Sequence, residues 1–249
     1  MTHSETMQPA TAFGLDAGRD EALAADRDEA LAAGRDLEGA APQEILRWAL
    51  ERFHPRLAIA SSMAEAVLID MATRIQPGVP VVFLDTGYHF AETIGTRDAV
   101  AAVYPVELIN VTPVRTPAEQ DAQHGPRLYE RDPDRCCALR KVEPLERALA
   151  PYLAWASGIR RDESATRRDV RVVDWDARRG KVKVNPLAAW TADDVDRYVA
   201  EHDVLVNPLL ADGYASVGCA PCTRRVEPGA DPRSGRWAGA AKTECGLHL

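Results

Sequence analysis

The sequence predicts an α/β domain, a mainly parallel sheet flanked by helices, ending in an irregular C-terminal tail. Three observations predict it. Between about residue 42 and residue 202, apolar runs of strand length alternate with apolar residues at helical spacing. The strand-length runs are continuously apolar, as strands buried on both faces are. Beyond Pro208 the periodicity stops and glycine, proline and arginine take over. A chain of 249 residues with 46% hydrophobic content is long enough to bury one such core.

Residues 1–40 read as an acidic, alanine-rich extension. Arg19-Asp20-Glu21-Ala22-Leu23-Ala24-Ala25 returns eight positions later, and Arg35-Asp36 opens a degenerate third copy. A period of eight drifts around a helix and leaves no lasting apolar face, so the segment is expected to be a solvated helix or disordered, and dispensable for chemistry. Next, Ile45, Leu46, Ala49, Leu50 and Phe53 have helical spacing. A strand at 57–60, a helix at 64–75, a buried strand at 79–84, a helix at 91–103 and a strand at 106–111 follow. The alternation continues with a helix at 136–150 and a strand at 152–156, then a hairpin pair at 170–174 and 181–184. Thr191 and Asp194 form a capping box opening a helix to about His202. The division is thus an extension at 1–40, an α/β nucleotide-binding and metal-binding domain at 41–225, and a mobile C-terminal segment at 226–249.

No basic segment followed by an apolar run opens the chain, and no apolar stretch is long enough to span a membrane. Together with five cysteines, this points to a reducing cytoplasm, where clustered thiols bind metal or do redox work. The net charge of −8 argues against a nucleic-acid partner. On this acidic background Arg160, Arg161, Arg167 and Arg168 cluster, as do Arg224, Arg225, Arg233 and Arg236, which suits a small polyanionic ligand or, for any one of them, plain surface charge. In open parallel sheets, ligands bind beyond the carboxyl ends of the strands. Ser61-Ser62-Met63 and Asp85-Thr86-Gly87-Tyr88 stand there, and as local patterns each also fits an ordinary cap or turn.

Cys136 and Cys137 are adjacent, and Cys219-Ala220-Pro221-Cys222 is a Cys-x-x-Cys pair. Four such thiolates suit a structural zinc or an iron-sulfur cluster. Adjacent cysteines converge poorly on one ion, whereas a cubane offers several irons, which favours [4Fe-4S]. A thioredoxin-like dithiol at Cys219/Cys222 and inert core cysteines at Cys136/Cys137 are the other readings. Lys141, four residues after Cys137, shares its helical face. Cys245 is left over in a polar tail, free to act as a nucleophile beside His248.

These motifs, in this order, carry a family resemblance. Cys136-Cys137 with Arg140-Lys141 and Leu145, Gly218-Cys219-Ala220-Pro221-Cys222-Thr223-Arg224, Gly235-Arg236-Trp237 and Glu244-Cys245-Gly246-Leu247-His248 resemble the assimilatory adenylyl-sulfate (APS) reductases, within the wider APS and PAPS (3'-phosphoadenylyl-sulfate) reductase family. Leu84-Asp85-Thr86-Gly87-Tyr88 and the stretch from Gly158 to Ser164 fit as well, and the likeness spans residues 42–249. It implies an adenine nucleotide α-hydrolase-like fold, a [4Fe-4S] cluster on Cys136, Cys137, Cys219 and Cys222, and thioredoxin as electron donor. It also implies Cys245 as catalytic nucleophile, forming an S-sulfocysteine from APS before sulfite and AMP leave. Ser62, Asp85, Thr86, Gly87, Lys141, Arg161, Arg167, Arg233, Arg236 and His248 are the substrate-binding residues it implies, with Lys141, Arg167, Arg233, Arg236 and His248 as charges around the phosphosulfate. Met63 departs from the glycine usual in the family's phosphate loop, so an altered loop is expected rather than a lost site. The alternatives are a PAPS reductase or dual-specificity enzyme and, from another class, a zinc-stabilised nucleotide-binding module without catalysis. A homo-oligomer is compatible with the sequence.

Overall fold

The computed structural model describes residues 13–239 and 242–248, with side chains of the first helix described from residue 24. The expectations placed on residues 1–12, 240, 241 and 249 lie outside the described residues. The chain opens with α1 (Phe13–Asp36) and α2 (Pro42–Phe53), then runs β1 (Leu57–Ser61), α3 (Val67–Ile75), β2 (Val79–Leu84), α4 (Ala91–Val103) and β3 (Val106–Val111). α5 (Pro117–His124), α6 (Leu128–Arg131) and α7 (Pro133–Cys137) follow; a π-helical turn (Ala138–Val142) joins α7 to α8 (Glu143–Leu149). β4 (Ala154–Ser157), β5 (Val173–Asp176), β6 (Lys181–Val184) and α9 (Ala192–His202) complete the regular structure.

The six strands lie in the order β3-β2-β1-β4-β6-β5, parallel except for the β5–β6 hairpin. Alternation along the strands divides the side chains between two faces. Leu57 and Ile59, Val81 and Phe83, and Ala154 and Ala156 enter the larger core, which residues of α1 to α4 and α9 complete. Ala58, Val82 and Trp155 face the other way, under Leu145 and Leu149 of α8 and Leu247 of the tail. The tail therefore closes the thinner of the two layers.

The structure bears out the alternating elements, with boundary shifts that have local causes. α3 starts at Val67 rather than residue 64, because Met63 is left-handed (φ 57°) and Glu65 pairs as an isolated bridge with Val206. The helix expected at 136–150 is broken into α7, the π turn and α8. In α1, the period of eight does leave Ala24, Ala25, Arg27 and Asp28 exposed, yet Ala30 and Ala33 are buried in the larger core. Gly34 lies so close to β5 that any side chain there would collide with the Val173 carbonyl. Bidentate pairing of Arg52 with Glu29 (2.7 and 2.8 Å) and an Arg161–Glu38 ion pair (2.6 Å) tie the helix end down. Among the described residues no helix is long and apolar enough to cross a membrane.

Candidate active site

From β1 the chain builds the sheet toward β3, and from β4 it builds toward β5, so the loops after β1 and β4 diverge and open a crevice at the strands' carboxyl ends. Ser62 stands exposed at its mouth. Met63, fully buried, donates its N–H to Ser61 Oγ (3.1 Å), and its carbonyl accepts from Asn207 Nδ2 (3.1 Å). The loop thus has the left-handed shape that glycine serves in such loops, held by a methionine. Burial raises the pKa of Glu65 to about 7, with Glu163 adding to the effect against Arg160. This buried acid was missed by sequence reasoning, since only its burial distinguishes it.

Asp85, Thr86 and Gly87 follow β2 and form a turn, Gly87 N–H donating to Asp85 Oδ1 (3.1 Å). Thr86 is fully buried, with its hydroxyl 3.2 Å from Cys219 Sγ and its carbonyl accepting from Arg140 Nε (2.5 Å). Tyr88 accepts at its carbonyl from Ala220 N–H (2.7 Å). This turn joins the sheet to the cysteine-bearing loop, a structural duty beyond the substrate contact expected of it.

The four expected ligand cysteines converge. Cys136, Cys137, Cys219 and Cys222 line one cavity of about 330 Å3, counting its open mouth, together with Tyr88, Tyr129, Arg140, Lys141 and Trp237. Burial pushes the Cys136 thiol up to about 12, helped by Cys137, Cys219 and Cys222, and the Cys222 thiol up to about 11, helped by Cys219. Thiols packed this way resist ionisation unless cationic metal offsets their repulsion. No group of three or more His, Cys, Asp or Glu among the described residues is already arranged to hold a metal ion. Neighbouring helical residues point about 100° apart, so Cys136 and Cys137 would reach different metal atoms of a cluster rather than share one ion.

The π turn, a frequent marker of functional sites, sends consecutive side chains to different partners. Arg140 is buried, bonded to Thr86, Gln120 Oε1 (3.0 Å) and the Arg115 carbonyl (3.3 Å). Lys141 faces the thiols. Burial works against its ammonium, but Cys219, Cys245 and Cys137 outweigh that and raise its pKa above the ordinary lysine value. Cys245 is close enough to Cys137 and Lys141 to bear on the charge of both, although it does not itself line the four-thiol cavity.

Of the expected anion-binding residues, Arg236 lies against the Cys219 loop. It donates to the Val217 carbonyl (3.3 Å) and stacks over Trp237 (4.5 Å), with its Nε buried and unpartnered. A side chain at Gly218 would displace the Arg236 guanidinium from this position. Arg167 and Arg233 both grip Glu244 (2.7 and 3.2 Å). Arg161 turns away, donating to the Val170 carbonyl (2.7 Å) and pairing with Glu38. His248 stacks on Trp155 (5.8 Å between ring centres, 18° between planes). Burial, then Lys183, Arg167, Arg179 and Arg233, hold its pKa well below the usual imidazole range. Lys183 and Arg179, which sequence reasoning passed over, flank the same Trp155 ring at 5.0 and 5.4 Å.

Residues 54–225 match the family model described as the phosphoadenosine phosphosulfate reductase domain. The chain belongs to this reductase family. Within it, the Streptomyces coelicolor protein named adenosine 5'-phosphosulfate reductase is 65% identical over 212 residues, 85% of this chain and 90% of that protein. A Mycolicibacterium smegmatis protein of the same name is 58% identical, over 86% and 90% of the two chains. In three dimensions the chain is similar to the phosphoadenylyl-sulfate reductase of Candida auris solved as a phosphate complex. The TM-score is 0.70 at 32% identity, over 80% of this chain and 97% of that one. A Candida glabrata FMN adenylyltransferase shares the fold alone, at TM-score 0.54 and 12% identity over 77% and 70% of the chains. The family resemblance read from the motifs and the adenine nucleotide α-hydrolase-like fold are thus borne out. The matched region stops short of the tail that carries Cys245.

Proposed function

We infer that this reductase-family member converts APS to sulfite and AMP, with thioredoxin supplying two electrons through an S-sulfocysteine on Cys245. The observation that carries the reading is a fifth thiol, Cys245, within electrostatic reach of Lys141 and Cys137 of the four-thiol cavity, in a chain whose relatives are named for APS reduction. APS joins sulfate to AMP in a mixed anhydride. The Cys245 thiolate attacks the sulfur, a C–S–SO3 linkage forms, the S–O bond to phosphate breaks, and AMP leaves with that electron pair. A thioredoxin thiolate then attacks the Cys245 sulfur, releasing sulfite and forming a mixed disulfide. The second thioredoxin thiol resolves it and frees Cys245. Lys141 and Arg236 bring positive charge to where two anions must meet, which favours both the thiolate and the approach. Ser62 and the turn at Asp85, Thr86 and Gly87 border the crevice for the nucleotide.

Cys136, Cys137, Cys219 and Cys222 would hold one [4Fe-4S] cluster. When bound, it supplies a rigid inorganic core and a local field. A reducing cytoplasm is the compartment in which such thiols and a thioredoxin partner operate together.

Incubation with APS and no thioredoxin is expected to add one SO3 group, about 80 Da, to Cys245, because no positioned second thiol resolves the adduct. Cys245→Ser should form no adduct and release no sulfite while keeping its iron. Adduct on Cys219 or Cys222 instead would overturn both assignments. Iron analysis tests the cluster: about four irons per chain with broad absorbance near 400 nm, lost in Cys136→Ser, is the expected result. Turnover with PAPS equal to that with APS would move the reading to a dual-specificity enzyme.

A further inference from the structure

A second cavity shares Arg140 with the thiol cavity as a common wall. It measures about 280 Å3, counting its open mouth, and sits between the loop after β3, α5, the π turn and the start of α8. Pro113, Val114 and Leu139 give it apolar sides. Arg115, Gln120, His124, Arg140 and Glu143 supply its polar groups, and none of these except Arg140 borders the four thiols.

Gln120 is 1% exposed, and its neighbour fixes its orientation. A guanidinium can only donate, so the Gln120 side-chain oxygen must face Arg140 Nη1 (3.0 Å) and the amide nitrogen must face away. That nitrogen, Nε2, is buried with no acceptor. Buried donors are nearly always paired in folded proteins, so one in the wall of a cavity marks where a ligand oxygen is received. Arg140 brings charge to the same wall. Its other hydrogen bonds go to the Thr86 carbonyl (2.5 Å) and the Arg115 carbonyl (3.3 Å), so all three of its partners are neutral and two of the five N–H groups of a guanidinium are left over. Tyr88 lies 4.9 Å from the guanidinium, and Asp121, which bears on Tyr88, is not part of this cavity. The Arg115 and Glu143 side chains are exposed and His124 is half-buried. Two guanidinium groups against one carboxylate leave a surplus of one positive charge, which suits a monoanion.

We propose that this cavity binds a small monocarboxylate, its oxygens received by Gln120 Nε2 and Arg140 and its short carbon body by Pro113, Val114 and Leu139. Glu143 disfavours a second negative charge, which sets inorganic dianions and dicarboxylates aside. The site is separate from the crevice between the loops after β1 and β4. Arg140, bonded to Thr86 and common to both cavities, is the physical link through which an occupant would bear on the thiols.

The test is titration calorimetry on the full chain purified with its iron, using acetate, propionate, succinate and inorganic phosphate as probes. AMP is present throughout, so that anion sites in the crevice are filled. Propionate should bind about threefold more tightly than acetate, for the added methylene. Succinate and phosphate should bind at least about tenfold more weakly than propionate. Gln120→Glu keeps an oxygen for Arg140 and puts a negative charge where the free donor was, so it imitates the occupied site. Propionate affinity should fall about thirtyfold or more in that variant. Glu143→Gln should tighten phosphate binding about threefold, and Arg115→Ala should weaken propionate binding by a similar factor. These two substitutions lie at exposed positions, so they decide the matter even if Gln120→Glu does not fold. No binding by either monocarboxylate, propionate affinity unchanged in Gln120→Glu or in both exposed variants, or phosphate binding tighter than propionate overturns the proposal. The titrations need no turnover, so their outcome is independent of whether the chain reduces APS.

Discussion

Met63 sits where two effects of opposite sign can be weighed. A left-handed backbone costs a residue with a β-carbon about 1–2 kcal/mol, which glycine would remove at φ 57°. Yet the Met63 side chain is fully buried in the larger core, and deleting such a side chain costs about 2–5 kcal/mol. Burial wins, so Met63→Gly should lower unfolding stability by about 1–3 kcal/mol in urea while nucleotide binding survives, because the loop's backbone shape is unchanged. A stabilised variant would show that strain dominates. The cysteine positions were legible at this scale because their spacing alone restricts what they can bind. Glu244 and Glu65 were not, since one acts through a contact 77 residues away in sequence and the other through burial.

Among elements, the strands and the helices between them were legible because an apolar run of five or six residues bounded by turns leaves few alternatives. Three misses have physical reasons. α5 went unread although Thr116 and Glu119 form a capping box with Pro117 at the first helical position; its face is too polar for periodicity to show. The π turn leaves no hydrophobic signature, because one extra residue per turn barely alters a short pattern. α1 was expected to be solvated throughout, but its last two turns need only Ala30, Ala33 and Gly34 to lie against β5, and small residues carry little periodic signal. Deleting residues 1–38 should therefore lower Tm by about 5–10 °C, through lost alanine burial and the Glu29–Arg52 and Glu38–Arg161 pairs. Sulfite release per folded molecule should change little, since none of the four thiols, Cys245 or Lys141 lies in α1. An unchanged Tm would mean that the helix end contributes nothing to the edge strand.

At the scale of the molecule, the two cysteine pairs come from distant stretches, one leading into α8 and one in the irregular segment after α9. A cluster between them would clamp that segment onto the sheet, beyond what the Thr86 and Tyr88 contacts achieve. Removing iron with a chelator should leave the far-ultraviolet spectrum nearly intact but open the segment at 211–239 to trypsin at Arg224, Arg225 and Arg233. Equal resistance of that segment with and without iron would count against the clamp. The seat of the tail has a chemical consequence as well. Leu247 is part of the smaller core beneath α8, so each excursion of Cys245 away from the cavity takes an apolar side chain back into water, at about 1 kcal/mol for a half-buried leucine. That cost makes exposure of a sulfonated Cys245 infrequent and brief. Small thiols meeting the protein at random would mostly find the adduct shielded, whereas a protein reductant able to wait at the surface would capture it on opening. The molecule would thereby choose its electron donor by timing rather than by shape alone.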